Sequence, residues 1–216
     1  MNIDELKSAS CYEELELLLT LQGLQSQRAE VFDKLANYQD DIAFCIPTKV
    51  GFVWYSKNSL KRVEAPEKVD KDFECSSCNS LTSLEGAPRE VNGNFYCLRC
   101  KSLTSLVGSP EKVNGHFNCS YCNSLTSLEG ALCEINGSFC CLNCKSLTSL
   151  TGAPKKVYGI FNCSYCPSLA SLEGAPEKVS GDFYCVYCTS LPKSEVEKLR
   201  ANRKYKLVLG QIRNLS

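Results

Sequence analysis

Twelve of the 16 cysteines in this 216-residue chain form six Cys-x-x-Cys pairs: Cys75/Cys78, Cys97/Cys100, Cys119/Cys122, Cys141/Cys144, Cys163/Cys166 and Cys185/Cys188. Thiolates paired at this spacing are zinc ligands, and the 18 residues between Cys78 and Cys97 suit a four-cysteine site built from two pairs. Cys-Ser-x-Cys at 75, 119 and 163 alternates with Cys-Leu/Val-x-Cys at 97, 141 and 185, a 44-residue period that would divide the pairs into three such sites. Other chemistry is sparse. The single histidine, His116, has no nucleophile held near it at a recurring position, and neither a Walker loop nor G-x-G-x-x-G after a strand occurs. The residues predict no enzyme and no cofactor.

The elements that position these thiols repeat every 22 residues, and the text between the pairs repeats with them. In Val-x-Gly-x-Phe-x-Cys, apolar residues alternate with variable ones, which predicts a strand with Phe95 and Cys97 inward and Asn94, Tyr96 and Leu98 outward. Ser-Leu-Thr-Ser-Leu follows, and Gly-Ala-Pro then breaks regular structure. No stretch of a unit is long enough for a stable helix, so neighbouring units must stack to share a core. A fainter copy precedes the first pair, with Val53 and Ser56 standing 22 residues before Cys75 and Cys78. Val suits an inward apolar place and Ser a small hydrogen-bonding one, but neither replaces a thiolate. That copy, the lack of knuckle glycines and the burial implied by Phe-x-Cys favour structural thiols over zinc. Disulfides rank third, because no export signal opens the chain. Cys11, Cys45, Cys133 and Cys140 fall outside the pairs, Cys140 at an outward strand position.

Phe-x-Cys-x-x-Cys-x-Ser-Leu-x-x-Leu resembles the frame of leucine-rich repeats in its cysteine-containing form. Leu-Thr-Ser-Leu-Glu-Gly-Ala-Pro is similar to the short repeats of bacterial and phage-encoded members, and the resemblance covers roughly residues 51–192. It implies a solenoid, mainly β, with a parallel sheet. It also implies that the first cysteine of each pair is a small buried apolar residue. The second takes the place of the asparagine ladder, satisfying backbone carbonyls as the chain leaves the strand. The function implied is a non-enzymatic module that binds a protein on its concave face. By analogy with the phage and bacterial proteins, the target is a host or defence protein that it sequesters or inhibits in the cytoplasm.

In a solenoid, function sits at the variable positions beside the repeating core. One row lies between Phe and Cys and includes Tyr96, Asn118, Asn162 and Tyr184; a second, two residues after the first Cys, includes Arg99, Tyr121, Asn143, Tyr165 and Tyr187. With strands about 4.8 Å apart, these form two parallel rows rich in residue types that dominate interfaces. These nine are the expected partner-binding residues. The second hypothesis is a zinc-stabilised binder of nucleic acid, its bases stacked on the same tyrosines.

Charge divides the chain into three segments. Residues 1–45 hold nine acids and three bases, 46–192 thirteen acids and fourteen bases, and 193–216 two acids and seven bases; the sums −6, +1 and +5 cancel. Bulk charge therefore does not hold this protein to nucleic acid or lipid. The longest apolar run, Leu15 to Leu24, is short and contains Glu16, so no membrane span is expected. Ser10-x-x-Glu13, followed by Leu15, Leu18, Leu19, Leu21, Phe32, Leu35 and Tyr38, predicts a helical N-terminal cap over 1–45. The solenoid occupies 46–192. In the 193–216 cap, Ser194-x-x-Glu197 predicts a short helix through Val196 and Leu199, and Lys204 to Leu209 a strand.

Overall fold

The computed structural model describes residues 62–201 together with the strands β1 (Ile42–Phe44), β2 (Ile46–Thr48), β3 (Gly51–Val53) and a last strand at Lys206–Val208. The anticipated helical cap, Leu15 to Tyr38, lies outside the described residues. Residues 62–192 form a parallel β-solenoid of 22-residue coils, as the period requires.

The expected strand through Val-x-Gly-x-Phe-x-Cys is in fact two strands in two sheets. β4 (Arg62–Glu64), β5 (Lys68–Val69) and β6 (Asp72–Glu74) lead into the regular coils. Glu90–Val91 (β7) and Phe95–Tyr96 (β8) set the pattern, repeated as β9 (Lys112–Val113) and β10 (Phe117–Asn118), then β11 (Glu134–Ile135) and β12 (Phe139–Cys140). β13 (Lys156–Val157), β14 (Phe161–Asn162), β15 (Lys178–Val179) and β16 (Asp182–Tyr184) complete it. The glycine between the two strands makes the corner. A Cβ on Gly115 would lie 2.6 Å from the carbonyl oxygen of Gly93 one coil earlier, so successive coils come too close there for any side chain.

The Phe strands stack in register, Phe95 against Phe117 and Phe117 against Phe139, in a sheet that runs from β2 to the last strand, β17 (Lys206–Val208). Its one antiparallel pair is β2 with β3. The Val strands form two shorter sheets, β5-β7-β9 and β11-β13-β15. Between them the core is a set of columns: Phe73, Phe95, Phe117, Phe139, Phe161 and Phe183 are fully buried, with ring centroids 4.9–5.6 Å apart along the stack. Columns of Leu, Val and Cys flank them. Each ring removes on the order of 150–250 Å² from water, which makes the stack a large apolar contribution to stability.

Helix α1 (Lys193–Ala201) starts at Lys193, one residue before the predicted capping serine, and buries Val196 against the last coil. Glu195, rather than Glu197, makes the join. In earlier coils the leucine N–H before each Gly-Ala turn donates to the next coil: Leu106 to Glu129 O, Leu128 to Thr151 O, Leu150 to Glu173 O. Leu172 has no further coil, and its N–H donates to Glu195 Oε2 at 3.1 Å. A carboxylate 22 residues after Glu173 thus stands in for the missing carbonyl and ends the stack. The strand read at the tail is present as Lys206–Val208, paired in parallel with β16.

Candidate functional site

The pair cysteines line the interior. From Cys100 onward each second thiol donates to the carbonyl of the first cysteine one coil earlier: Cys100 to Cys75 O at 3.2 Å, Cys122 to Cys97 O at 3.1 Å, Cys144 to Cys119 O, Cys166 to Cys141 O and Cys188 to Cys163 O. This is the ladder role the leucine-rich resemblance implied, and the geometry explains it. The chain turns out of the sheet after the first cysteine, so that carbonyl loses its partner in the next coil. Burial drives the thiols of Cys75, Cys97, Cys119, Cys141 and Cys163 well above their ordinary range. Burial also pushes Cys144 up to about 12. Cys122 is raised by its neighbour Cys100 and by burial. Burial thus favours the thiol form at these inward positions, while hydrogen bonds from Cys122 and Cys78 lower Cys100 and one from Cys163 lowers Cys188. Reactive or metal-binding cysteines need an environment that favours thiolate. Among the described residues no group of three or more His, Cys, Asp or Glu is gathered to hold a metal ion.

The 44-residue alternation also has a backbone cause. The N–H of Leu98, Leu142 and Val186 donates to the hydroxyl of Ser76, Ser120 and Ser164 one coil earlier. The N–H of Ser120 and Ser164 is taken instead by Asn118 Oδ1 and Asn162 Oδ1, both at 3.0 Å. A Ser coil and a Leu/Val coil therefore satisfy this position by different means, the asparagine serving the first and the serine hydroxyl the second. Asn118 and Asn162, expected in the binding row, spend their side-chain oxygens on their own coils. His116 acts in the same way, its Nδ1 accepting the N–H of Ser138 at 2.8 Å in a row where Asn94 Oδ1 accepts from His116 N and Ser138 Oγ from Ile160 N. That bond requires an unprotonated Nδ1.

The expected binding residues separate into two environments. Tyr96, Asn118, Asn162 and Tyr184 lie half-buried on the Phe sheet. Tyr96 has its phenol pKa raised by burial and then by Asp72 and Glu74. Tyr184 donates to Asp182 Oδ2 at 3.0 Å, which raises its pKa. The second row stands at the turn where the chain leaves the sheet, not on the sheet itself. Ser77, Arg99, Tyr121, Asn143, Tyr165 and Tyr187 all have φ between 55° and 65°. Left-handed backbone at a non-glycine residue was not foreseen from sequence, because repeated Cys-x-x-Cys text carries no glycine at that place. In this row Tyr121, Tyr165 and Tyr187 are 36%, 49% and 53% exposed. Tyr165 stacks on Tyr187 at 4.9 Å, and the Arg99 guanidinium sits 5.6 Å from the Tyr121 ring centre.

The charge around the four central coils of this turn row is one-sided, whereas Glu74 lies three residues before Ser77 in the first coil. The stretches 96–105, 118–127, 140–149 and 162–171 contain Arg99, Lys101 and Lys145 and no Asp or Glu. Acids and bases alternate on the Val side instead, where Arg89 bridges Glu67 and Glu111, Glu90 bridges Lys68 and Lys112, and Lys156 pairs with Glu134. Compared with models of protein families, with curated proteins and with solved structures, the chain matches none.

Proposed function

We propose that this solenoid is a non-enzymatic binding module of leucine-rich-repeat type that engages a protein partner through the turn row Arg99, Tyr121, Asn143, Tyr165 and Tyr187. One observation carries the reading. The turn demands a left-handed residue, which costs a tyrosine or arginine roughly 1 kcal/mol or more, whereas asparagine and glycine suit it. Only Asn143 is such a residue; four of the six places hold Arg or Tyr, largely exposed. Their side chains answer to something outside the backbone, and large rigid rings are the residues that dominate interface energetics. Tyr96 and Tyr184 extend the surface onto the sheet. The resemblance to phage and bacterial repeat proteins points to a host or defence protein in the cytoplasm as the target. The test is affinity capture with the full chain against the Tyr165→Ala/Tyr187→Ala double variant, with thermal denaturation in parallel. The reading requires that a captured protein be lost while the melting temperature stays close to wild type. Capture that survives the double variant refutes it.

A further inference from the structure

The turn row is a stack with one gap. Arg99 covers one face of Tyr121, and Tyr187 covers one face of Tyr165. Arg99 lies on the coil before Tyr121 and Tyr187 on the coil after Tyr165, so both uncovered ring faces point toward the coil between them. That coil presents Asn143, half-buried, whose side chain makes no hydrogen bond to a described residue. At about 4.8–4.9 Å per coil, Tyr121 and Tyr165 stand roughly 10 Å apart, which leaves about 5 Å on each side of an inserted ring, within the range for aromatic stacking. Lys145, exposed on the Asn143 coil, and Lys101 and Arg99 two coils earlier are the charges beside the gap, and no carboxylate faces them from the four central stretches.

Resting on the binding-module reading above, we propose that the gap between Tyr121 and Tyr165 receives an aromatic side chain of the partner, carried on an acidic segment that Arg99, Lys101 and Lys145 flank. The three bases exclude an arginine or a basic segment as occupant. A peptide is favoured over a nucleic acid strand because the chain has zero net charge, so it supplies no extended field to hold one phosphate per nucleotide. The Asn143 amide, lying at the base of the gap, can bond to the inserted residue's polar edge or backbone.

The experiment titrates the full chain by calorimetry, at near-physiological salt, with the peptide Asp-Asp-Trp-Asp-Asp. Parallel probes are Asp-Asp-Ala-Asp-Asp, Lys-Lys-Trp-Lys-Lys and a single-stranded oligo(dT) octamer. The tryptophan acidic peptide should bind at least about tenfold more tightly than each of the other three, one stacked ring pair being worth about that factor. Tyr121→Ala and Tyr165→Ala should each weaken it about tenfold. Asn143→Tyr, a residue the adjacent turns already hold at the same φ, should close the gap and abolish binding while lowering the melting temperature only slightly, by the strain of a tyrosine on left-handed backbone. Equal binding of the alanine peptide, preference for the lysine peptide or the oligonucleotide, or unimpaired binding by Asn143→Tyr would overturn the proposal. Those results leave the binding-module reading standing if capture of a protein still depends on Tyr165 and Tyr187. Loss of that dependence removes the reading itself.

Discussion

The Phe side and the Val side of the solenoid follow the same 22-residue period, yet only one is continuous. The Phe sheet runs unbroken from Ile46 to Val208, while the Val side stops after Val113 and restarts at Glu134. On the Phe side each coil is tied to the next by several buried columns at once: the ring stack, the thiol-to-carbonyl ladder and the serine acceptors. On the Val side one strand residue per coil, Val or Ile, faces in, and backbone hydrogen bonds with exposed charged pairs complete the contact. The break falls at the one regular coil where Leu132 stands in the place of Pro88, Pro110, Pro154 and Pro176, and where exposed Cys133 follows Arg89 and Glu111 in the charged row. Cys133 offers Glu111 no counter-charge. Several buried columns tolerate a changed residue better than a side with one buried apolar column, and the exposed ion pairs there add little.

The largest effect that would test this contrast is a core truncation on each side. Phe117→Ala should cost about 3–5 kcal/mol and Val113→Ala only about 2, because the ring is shared with both neighbouring coils. Chemical denaturation of the two variants measures this, and equal losses would mean the two sides share the load.

A smaller effect separates the two cysteine columns. Cys100→Ser keeps a donor for Cys75 O and should cost less than about 1 kcal/mol. Cys97→Ser places a hydroxyl in the apolar column, where its own sulfur makes no side-chain hydrogen bond to a described residue, and should cost about 1–3 kcal/mol. Denaturation midpoints that fall in the opposite order would show the ladder assignment to be reversed.

The smallest effect belongs to the Val-side charges. A hydrogen bond from Lys112 holds the Glu90 carboxyl below the usual carboxylate range, with Lys68 adding to it. A depressed folded pKa stabilises the protein above the unfolded value and loses that contribution as pH falls through the folded one. Glu90→Gln should therefore melt slightly lower than wild type near neutral pH, and the gap should shrink on acidification and in high salt. A difference independent of pH would assign the effect to packing instead.

Much of this was legible in the text of the chain. Six copies of one frame established the solenoid, the coil length and the inward Phe, Leu and Cys, because a repeating pattern can bury its apolar residues only by stacking. The short C-terminal helix and the strand after it were readable from Ser194, Val196, Leu199 and the Lys204–Leu209 run. The ladder role of the second cysteines came with the leucine-rich resemblance, and the Val53/Ser56 copy agreed with it. Three things were decided only by the packed coils. Whether Val and Phe share a strand depended on how closely Gly93 and Gly115 approach, a distance no single unit contains. Asn118, Asn162, His116 and Glu195 found their partners through backbone groups in their own or adjacent coils, which spacing alone does not reveal. Arg99, Tyr121, Asn143, Tyr165 and Tyr187 became one row with one gap because stacking superposes residues 22 apart, and the left-handed turn carries their side chains off the sheet to its edge.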